Sequence, residues 1–195
     1  MPAARLDPAV PRHWTAREVR QLIAESPLAT PSYELVDGEL LVTPSPNGPH
    51  QGAVELLVVA LHLYLREQPL GRVRNSPFDV ELQPESLLQP DIFVLPMAEA
   101  RRVLAEMPAR ELLLAVEVLS PSSSRHDRVT ERPLYQRHVP EYWIVDLAAR
   151  LVERWRPGDE RPEVVLDTLE WHPAGATEPF RLELSRYFAE VFEER

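Results

Sequence analysis

Several residue types are absent or scarce in this chain, and each absence narrows the chemistry that the protein can perform. The 195 residues include no cysteine, which excludes disulfides, thiol nucleophiles and thiolate metal sites. All 21 basic residues are arginine, so no mechanism that needs a lysine can operate within one subunit. Glycine is scarce, at 6 residues, and no glycine-rich phosphate loop is present, which argues against nucleotide-dependent motors and kinases.

Long apolar runs are also missing from the sequence. No run approaches the ~20 residues that a membrane-spanning helix needs, and the first residues have no apolar stretch of the signal-peptide type. We therefore expect a cytoplasmic protein with no membrane partner. The net charge of −10 counts against nucleic-acid binding as a bulk property, although it leaves room for a local basic groove.

The chain length and an apolar content of 44% predict one globular domain over residues 1–195. Within it we expect a helical extension over 1–32, a core over 33–157 and a closing segment over 158–195. The element order predicts an α/β or α+β fold with a sheet flanked by helices.

Local sequence signals predict the individual elements. A capping box at Thr15 and Glu18 begins a helix over 15–25, and Asp37-Gly38 forms the turn of a hairpin within 33–42. Apolar spacing predicts a helix over 52–67. Other helices are expected over 98–106 and within 120–138, where Pro133 must start or kink the helix. Strands are expected over 71–82, 91–95, 112–119, 142–146 and 151–155, with a short strand and helix after residue 178.

Asp91 and Glu117 each stand inside a short apolar run with high β propensity. An isolated carboxylate in such surroundings is costly, so it usually becomes neutral, pairs with a cation or binds a metal. If the two strands pair antiparallel, both carboxylates meet at one edge of the sheet. Oxygen ligands of this kind suit Mg²⁺ or Mn²⁺. In the alternative interpretation, Asp91 caps a turn after Pro90 and Glu117 pairs with an arginine.

An ordered set of short motifs extends from Tyr33 to about Pro157. It comprises residues 33–40, 44–46 with His50, 89–91, 117–122, Asp127, Tyr135 and 139–146. Together these motifs resemble the PD-(D/E)XK, or restriction-endonuclease-like, nuclease superfamily and, more narrowly, the bacterial Uma-type endonuclease family. The resemblance implies a restriction-endonuclease-like core with a central mixed sheet flanked by helices, to which an N-terminal helix and β-hairpin are added. It further implies that the protein hydrolyses phosphodiester bonds in DNA as a homodimer. It also implies that Asp91 and Glu117 ligate Mg²⁺ or Mn²⁺ and that Glu39, from the hairpin, joins the same site.

The chain departs from this family pattern at the expected lysine. The superfamily usually places that lysine where Leu119 stands, and the Uma-type pattern places it four residues before the tyrosine, where Glu131 stands. The lysine would orient water and offset charge on the phosphate. Arg132 could supply positive charge, although arginine is a poor general base. The chain is therefore either a nuclease that uses Arg132 or Arg128, or a weakened or inactive nuclease-fold protein that acts as a binding or regulatory module.

His50, Arg125 and Arg128 are further candidates for contact with nucleic acid. His50 stands between a proline-rich loop and a long predicted helix. It either contacts a ligand side chain or a phosphate near Glu39, or faces solvent where the helix starts. Arg125 and Arg128 belong to a group of arginines that follows Glu117. That group either contacts the phosphate backbone or forms a solvated helix face.

Overall fold

A computed structural model describes residues 13–26, 31–43, 48–105, 108–119 and 127–194. The helices are α1 (Ala16–Glu25), α2 (Gly48–Glu67), α3 (Met97–Arg102), α4 (Arg132–His138) and α5 (Leu184–Val191), and a π-helical turn (Asp127–Glu131) leads into α4. The strands are β1 (Ser32–Val36), β2 (Glu39–Thr43), β3 (Gly71–Asn75), β4 (Ile92–Pro96), β5 (Leu114–Val118), β6 (Tyr142–Asp146), β7 (Leu151–Trp155), β8 (Glu163–Val165), β9 (Thr168–Trp171) and β10 (Phe180–Glu183).

The central sheet has six strands in the order β3-β4-β5-β6-β7-β8. β5 and β6 pair parallel, and the other neighbouring strands pair antiparallel. A parallel pair needs a crossover connection, and here α4 lies in the segment that joins β5 to β6. β9 and β10 form a separate antiparallel pair. The sheet is therefore mixed, as the sequence predicted.

The hairpin of β1 and β2 is a separate two-stranded sheet, and backbone hydrogen bonds attach it to the segment between β3 and β4. Its turn places Asp37 at φ 49° and Gly38 at φ 83°, the left-handed pair that a tight hairpin turn requires. Beyond the turn, Leu35 and Leu87 exchange N–H···O bonds of 2.7 and 2.8 Å. Those bonds hold β1 beside the segment that leads into β4. The hairpin and the start of the central strands are thus fixed to each other.

Apolar residues cover both faces of the central sheet, because side chains alternate between the faces along each strand. One face packs against α2, α5, β9 and β10. The other packs against α3, α4, the β1–β2 hairpin and neighbouring loops. The first face includes Leu57, Leu61, Val94, Val116, Trp143, Trp171 and Phe188. The second includes Phe93, Ala115, Leu134, Tyr135, Tyr142 and Trp155. Glu117 falls on the second face, since it alternates with Val116 and Val118 on the first.

The C-terminal helix α5 supports α2. It packs on α2 with its buried side chains, and the hydroxyl of Tyr187 donates a 2.9 Å hydrogen bond to the carbonyl oxygen of Ala53. Ala53 lies close to the start of α2, where His50 is also located. The position of that end of α2 therefore depends on contacts with α5.

Most of the predicted elements are confirmed, and the differences have clear physical causes. The capping box of Thr15 and Glu18 is present at α1, and α4 begins at Arg132 with Pro133 in its first turn, as predicted. The strand predicted over 71–82 ends at Asn75, because Pro77 has no N–H to continue the ladder. β8 and β9 were not predicted. In the described residues, no helix is long and apolar enough to span a bilayer.

Candidate active site

Asp91 and Glu117 lie side by side where β4 begins and β5 ends. The antiparallel register pairs Ile92 with Val116, so Asp91, which precedes Ile92, stands opposite Glu117, which follows Val116. The backbone N–H of Asp91 donates to Glu117 Oε2 at 3.3 Å, and the N–H of Val118 donates to Asp91 Oδ2 at 2.8 Å. Each carboxylate is therefore held by a backbone donor of the other strand, and the predicted strand pairing is confirmed.

His50 approaches the same carboxylate from the start of α2. Its Nε2 lies 3.0 Å from Asp91 Oδ2, and its side chain is 9% exposed against 22% for Asp91. The structure thus places His50 against Asp91 rather than in solvent, which favours the first of the two interpretations of this residue. The geometry does not test contact with a phosphate, which stays a prediction.

Tyr135 positions Glu117 from the opposite side. Its hydroxyl donates to Glu117 Oε1 at 3.0 Å, and its ring stacks on Tyr142 with the centroids 4.8 Å apart. Burial raises the pKa of Tyr135 well above its ordinary value, and the nearby carboxylates of Glu117, Glu131 and Glu34 raise that pKa further. The hydroxyl therefore keeps its proton and acts as a donor to Glu117. It cannot serve as a base.

Glu34 is a residue of this region that the sequence argument missed. It lies in β1, its side chain is buried, and its Oε1 accepts a 2.7 Å hydrogen bond from the N–H of Gln89, two residues before Asp91. Its sequence context is an acidic residue inside an apolar strand, which is the same signal that identified Asp91 and Glu117. The predicted hairpin ligand, Glu39, is an exposed side chain at the first position of β2. Its role stays a prediction.

Glu131 occupies the position where the family resemblance places a lysine. Its side chain is buried, with 3% exposure, close enough to Tyr135 to act on the pKa of that residue. The neighbouring Arg132 lies over the ring of Trp155, 4.4 Å from the centroid, and donates to Gln136 Oε1 at 2.9 Å. The predicted role of Arg132 at the phosphate is not tested by these contacts. Arg125 and the side chain of Arg128 lie outside the described residues, and the predictions for them also stand untested.

A cleft of about 280 Å³ opens beside Asp91. It is lined by His50, Gln51, Val54, Glu55, Asn75, Ser76 and Asp91. Of the two carboxylates, Asp91 lines this cleft. Glu117 is not part of its lining and is buried, with 7% exposure. An anionic group with a bound cation can therefore approach Asp91 from the cleft side.

The two paired carboxylates fit the ligand chemistry of a hard divalent cation. In proteins Mg²⁺ is usually held by one or two carboxylates together with water and substrate phosphates, so a complete protein cage is not required. Within the described ranges, no group of three or more His, Cys, Asp or Glu side chains is arranged to hold a metal. The metal roles of Asp91, Glu117 and Glu39 therefore stay predictions.

Comparison with known proteins places this site in a family. The family described as "Uma2: Putative restriction endonuclease" matches residues 18–185, which include every residue of the site. The chain belongs to the Uma2 family. No curated protein matches it.

A solved structure shares the fold of this Uma2 chain. It is described as a putative nuclease belonging to DUF820, from Anabaena variabilis, and it superposes with a TM-score of 0.70 at 22% sequence identity. The match covers 87% of this chain and 96% of the other. The predicted restriction-endonuclease-like fold is therefore confirmed, as is membership of the Uma-type family.

Proposed function

We propose that this Uma2 protein is a divalent-metal-dependent endonuclease that hydrolyses phosphodiester bonds in DNA. One observation supports the proposal most directly: Asp91 and Glu117 lie together at the end of an antiparallel strand pair, beside an open cleft. The family description and the nuclease-like fold agree with this chemistry. Restriction endonucleases generally use divalent metal ions, and the oxygen-only ligands here favour Mg²⁺ or Mn²⁺.

Each residue of the site has a role that follows from its contacts. Asp91 and Glu117 would hold the cation, which when bound supplies charge neutralisation at the phosphate and a more acidic water. His50 fixes the carboxylate of Asp91 on the cleft side, and Tyr135 fixes Glu117 from the core side. Both carboxylates therefore keep their orientation without a bound ion, which lowers the cost of assembling the site.

The proposal extends the predicted roles of the remaining residues. Glu39 completes the site or positions water, and Arg132 or Arg128 steadies the phosphate. The homodimer implied by the resemblance belongs to the same proposal, since cutting both strands of a duplex favours a two-fold axis. Static light scattering on the purified protein checks that assembly directly.

A second candidate function is a nuclease-fold protein that binds nucleic acid without turnover. One observation favours it: Glu131, buried beside Tyr135, places a carboxyl group where an active family member is expected to carry a lysine. Without a positively charged side chain at this position, the negative charge that develops on the phosphate is stabilised less. The two functions share the fold and the metal ligands, and they differ in whether cleavage occurs.

Plasmid nicking in the presence of Mn²⁺ distinguishes the two candidates. The wild type is compared with Asp91→Ala and with Asp167→Ala, a matched change at an exposed aspartate between β8 and β9. Nicking in the wild type and in Asp167→Ala, with none in Asp91→Ala, is the expected result. Mn²⁺ binding by calorimetry without nicking at any protein concentration favours the binding protein. The absence of Mn²⁺ binding in the wild type would refute a metal site at these carboxylates.

A further inference from the structure

A second cleft lies along the seam between α2 and β3 that also contains the candidate active site. It has a volume of about 220 Å³ and is lined by His62, Leu65, Arg66, Arg72 and Val73. The start of α2 and the end of β3 line the first cleft, whereas later residues of α2 and the middle of β3 line the second. The two clefts are therefore successive openings along one seam. The second is called the basic cleft below.

The lining of the basic cleft carries three nitrogen-rich side chains and no carboxylate. His62, Arg66 and Arg72 are all exposed. Arg72 donates one hydrogen bond, of 3.2 Å, to the carbonyl oxygen of Gly71, and a guanidinium has five N–H donors in total. Arg66 forms an exposed ion pair with Glu67 at 3.2 Å. Exposed pairs of this kind are weak, so a phosphate can replace the carboxylate.

β3 adds to the positive charge of this edge. It is the first strand of the sheet, so one of its sides is not paired with another strand of the sheet. Arg74 stands two residues after Arg72 on the same face of β3, and its Nη1 donates to the carbonyl oxygen of Val73 at 2.9 Å. A polyanion that passes along β3 would therefore meet two arginines in succession.

The distance between the two clefts suits a nucleic acid backbone. His50, whose Nε2 lies 3.0 Å from Asp91, and Arg66 of the second cleft are separated by sixteen residues along α2, which corresponds to ~24 Å. A B-form duplex rises about 3.4 Å per base pair along its axis, so this distance covers about seven base pairs.

We propose that the basic cleft binds the phosphodiester backbone of the DNA about seven base pairs from the scissile position. This inference rests on the proposed function, because Asp91 defines the position from which the distance is counted. Phosphate contacts fix the register of a protein on DNA without reading its sequence. The basic cleft would thereby give an acidic protein, of net charge −10, a local attachment point for DNA.

The test measures DNA affinity and cleavage separately. Binding of a fluorescein-labelled DNA duplex is followed by anisotropy in EDTA over a range of salt concentrations, for the wild type, Arg66→Ala, Arg72→Ala and Arg161→Ala. Arg161 is an exposed arginine between β7 and β8, at the opposite edge of the sheet, so its replacement is the matched control. Nicking of plasmid DNA with Mn²⁺ is measured on the same four proteins and on Asp91→Ala.

We expect Arg66→Ala and Arg72→Ala each to weaken binding and to lower the salt slope of log Kd by about 0.9. Between ~50 and ~200 mM salt, the factor by which Kd rises is then roughly 3.5 times smaller for each of these variants than for the wild type. Arg161→Ala should behave as the wild type. If both variants match Arg161→Ala while nicking still depends on Asp91, the basic cleft is refuted and the proposed function stands. If the variants weaken binding but the wild type never nicks, the cleft is supported and the binding protein is favoured. A wild type that neither binds nor nicks DNA refutes both proposals.

Discussion

Replacing Tyr135 with phenylalanine removes one buried hydrogen bond at the candidate site and leaves the aromatic ring in place. The hydroxyl donates to Glu117 Oε1 at 3.0 Å, and both side chains are buried. Hydrogen bonds to charged groups contribute about 1.5–3 kcal/mol to stability. For a protein of this size each kcal/mol corresponds to ~2–4 °C in Tm, so we expect Tm to fall by about 3–12 °C.

The same substitution should also affect the chemistry of the site. Groups that hydrogen-bond to metal ligands fix the orientation of those ligands, and their loss typically costs about 10–100-fold in metal affinity or activity. We therefore expect Tyr135→Phe to weaken Mn²⁺ binding and plasmid nicking within this range. Calorimetry measures the first and gel electrophoresis the second.

Tyr64→Phe is the control for Tyr135→Phe. It removes the same atom from a partly buried tyrosine on the other face of the sheet, where the hydroxyl donates to the neutral carbonyl of Glu178 at 2.7 Å. A neutral hydrogen bond contributes ~0.5–1.5 kcal/mol, and no metal ligand is involved. If Tyr135→Phe lowers Tm no more than this control and leaves Mn²⁺ affinity unchanged, Tyr135 does not position Glu117.

Two further predictions concern stability. Burial raises the pKa of both Tyr135 and Tyr187, so at alkaline pH the folded state retains protons that the unfolded chain loses. The free energy of unfolding is therefore unaffected below pH ~10. Above that pH it falls by up to ~1.4 kcal/mol per pH unit for each tyrosine. Urea unfolding at increasing alkaline pH should show this fall, and the double phenylalanine variant should reduce the slope. Glu141→Gln breaks a nearly buried ion pair in which Arg154 Nε lies 2.7 Å from Glu141 Oε1. We expect the free energy of unfolding, measured in urea, to fall by about 3–5 kcal/mol, and a fall below ~1 kcal/mol would contradict the assigned contact.

The sequence predicted the centre of the site because its signal was local. Asp91 and Glu117 each stood in an apolar run, and the antiparallel pairing that joins them follows from ordinary strand geometry. Glu34 carries the same signal, an acidic residue in a strand with three consecutive buried positions, 34–36. The family resemblance implies a different glutamate of the same hairpin, Glu39, at the site.

Other features depend on contacts that no local pattern contains. The position of Arg132 over Trp155 joins residues from α4 and β7, which sequence spacing does not bring together. β8 has only three residues, two of them exposed, and such a short strand at a sheet edge has no apolar alternation to reveal it. The seam between α2 and β3 also escaped prediction, since it requires the orientation of a helix against a strand.

The hydrogen bond from Tyr187 to Ala53 has a consequence for biosynthesis. Asp91, Glu117 and His50 leave the ribosome well before α5, yet α5 is the element that supports the end of α2 where His50 meets Asp91. A nascent polypeptide therefore carries both carboxylates of the candidate site before the helix that supports His50 exists. Translation itself delays completion of the candidate site until the supporting helix has been made.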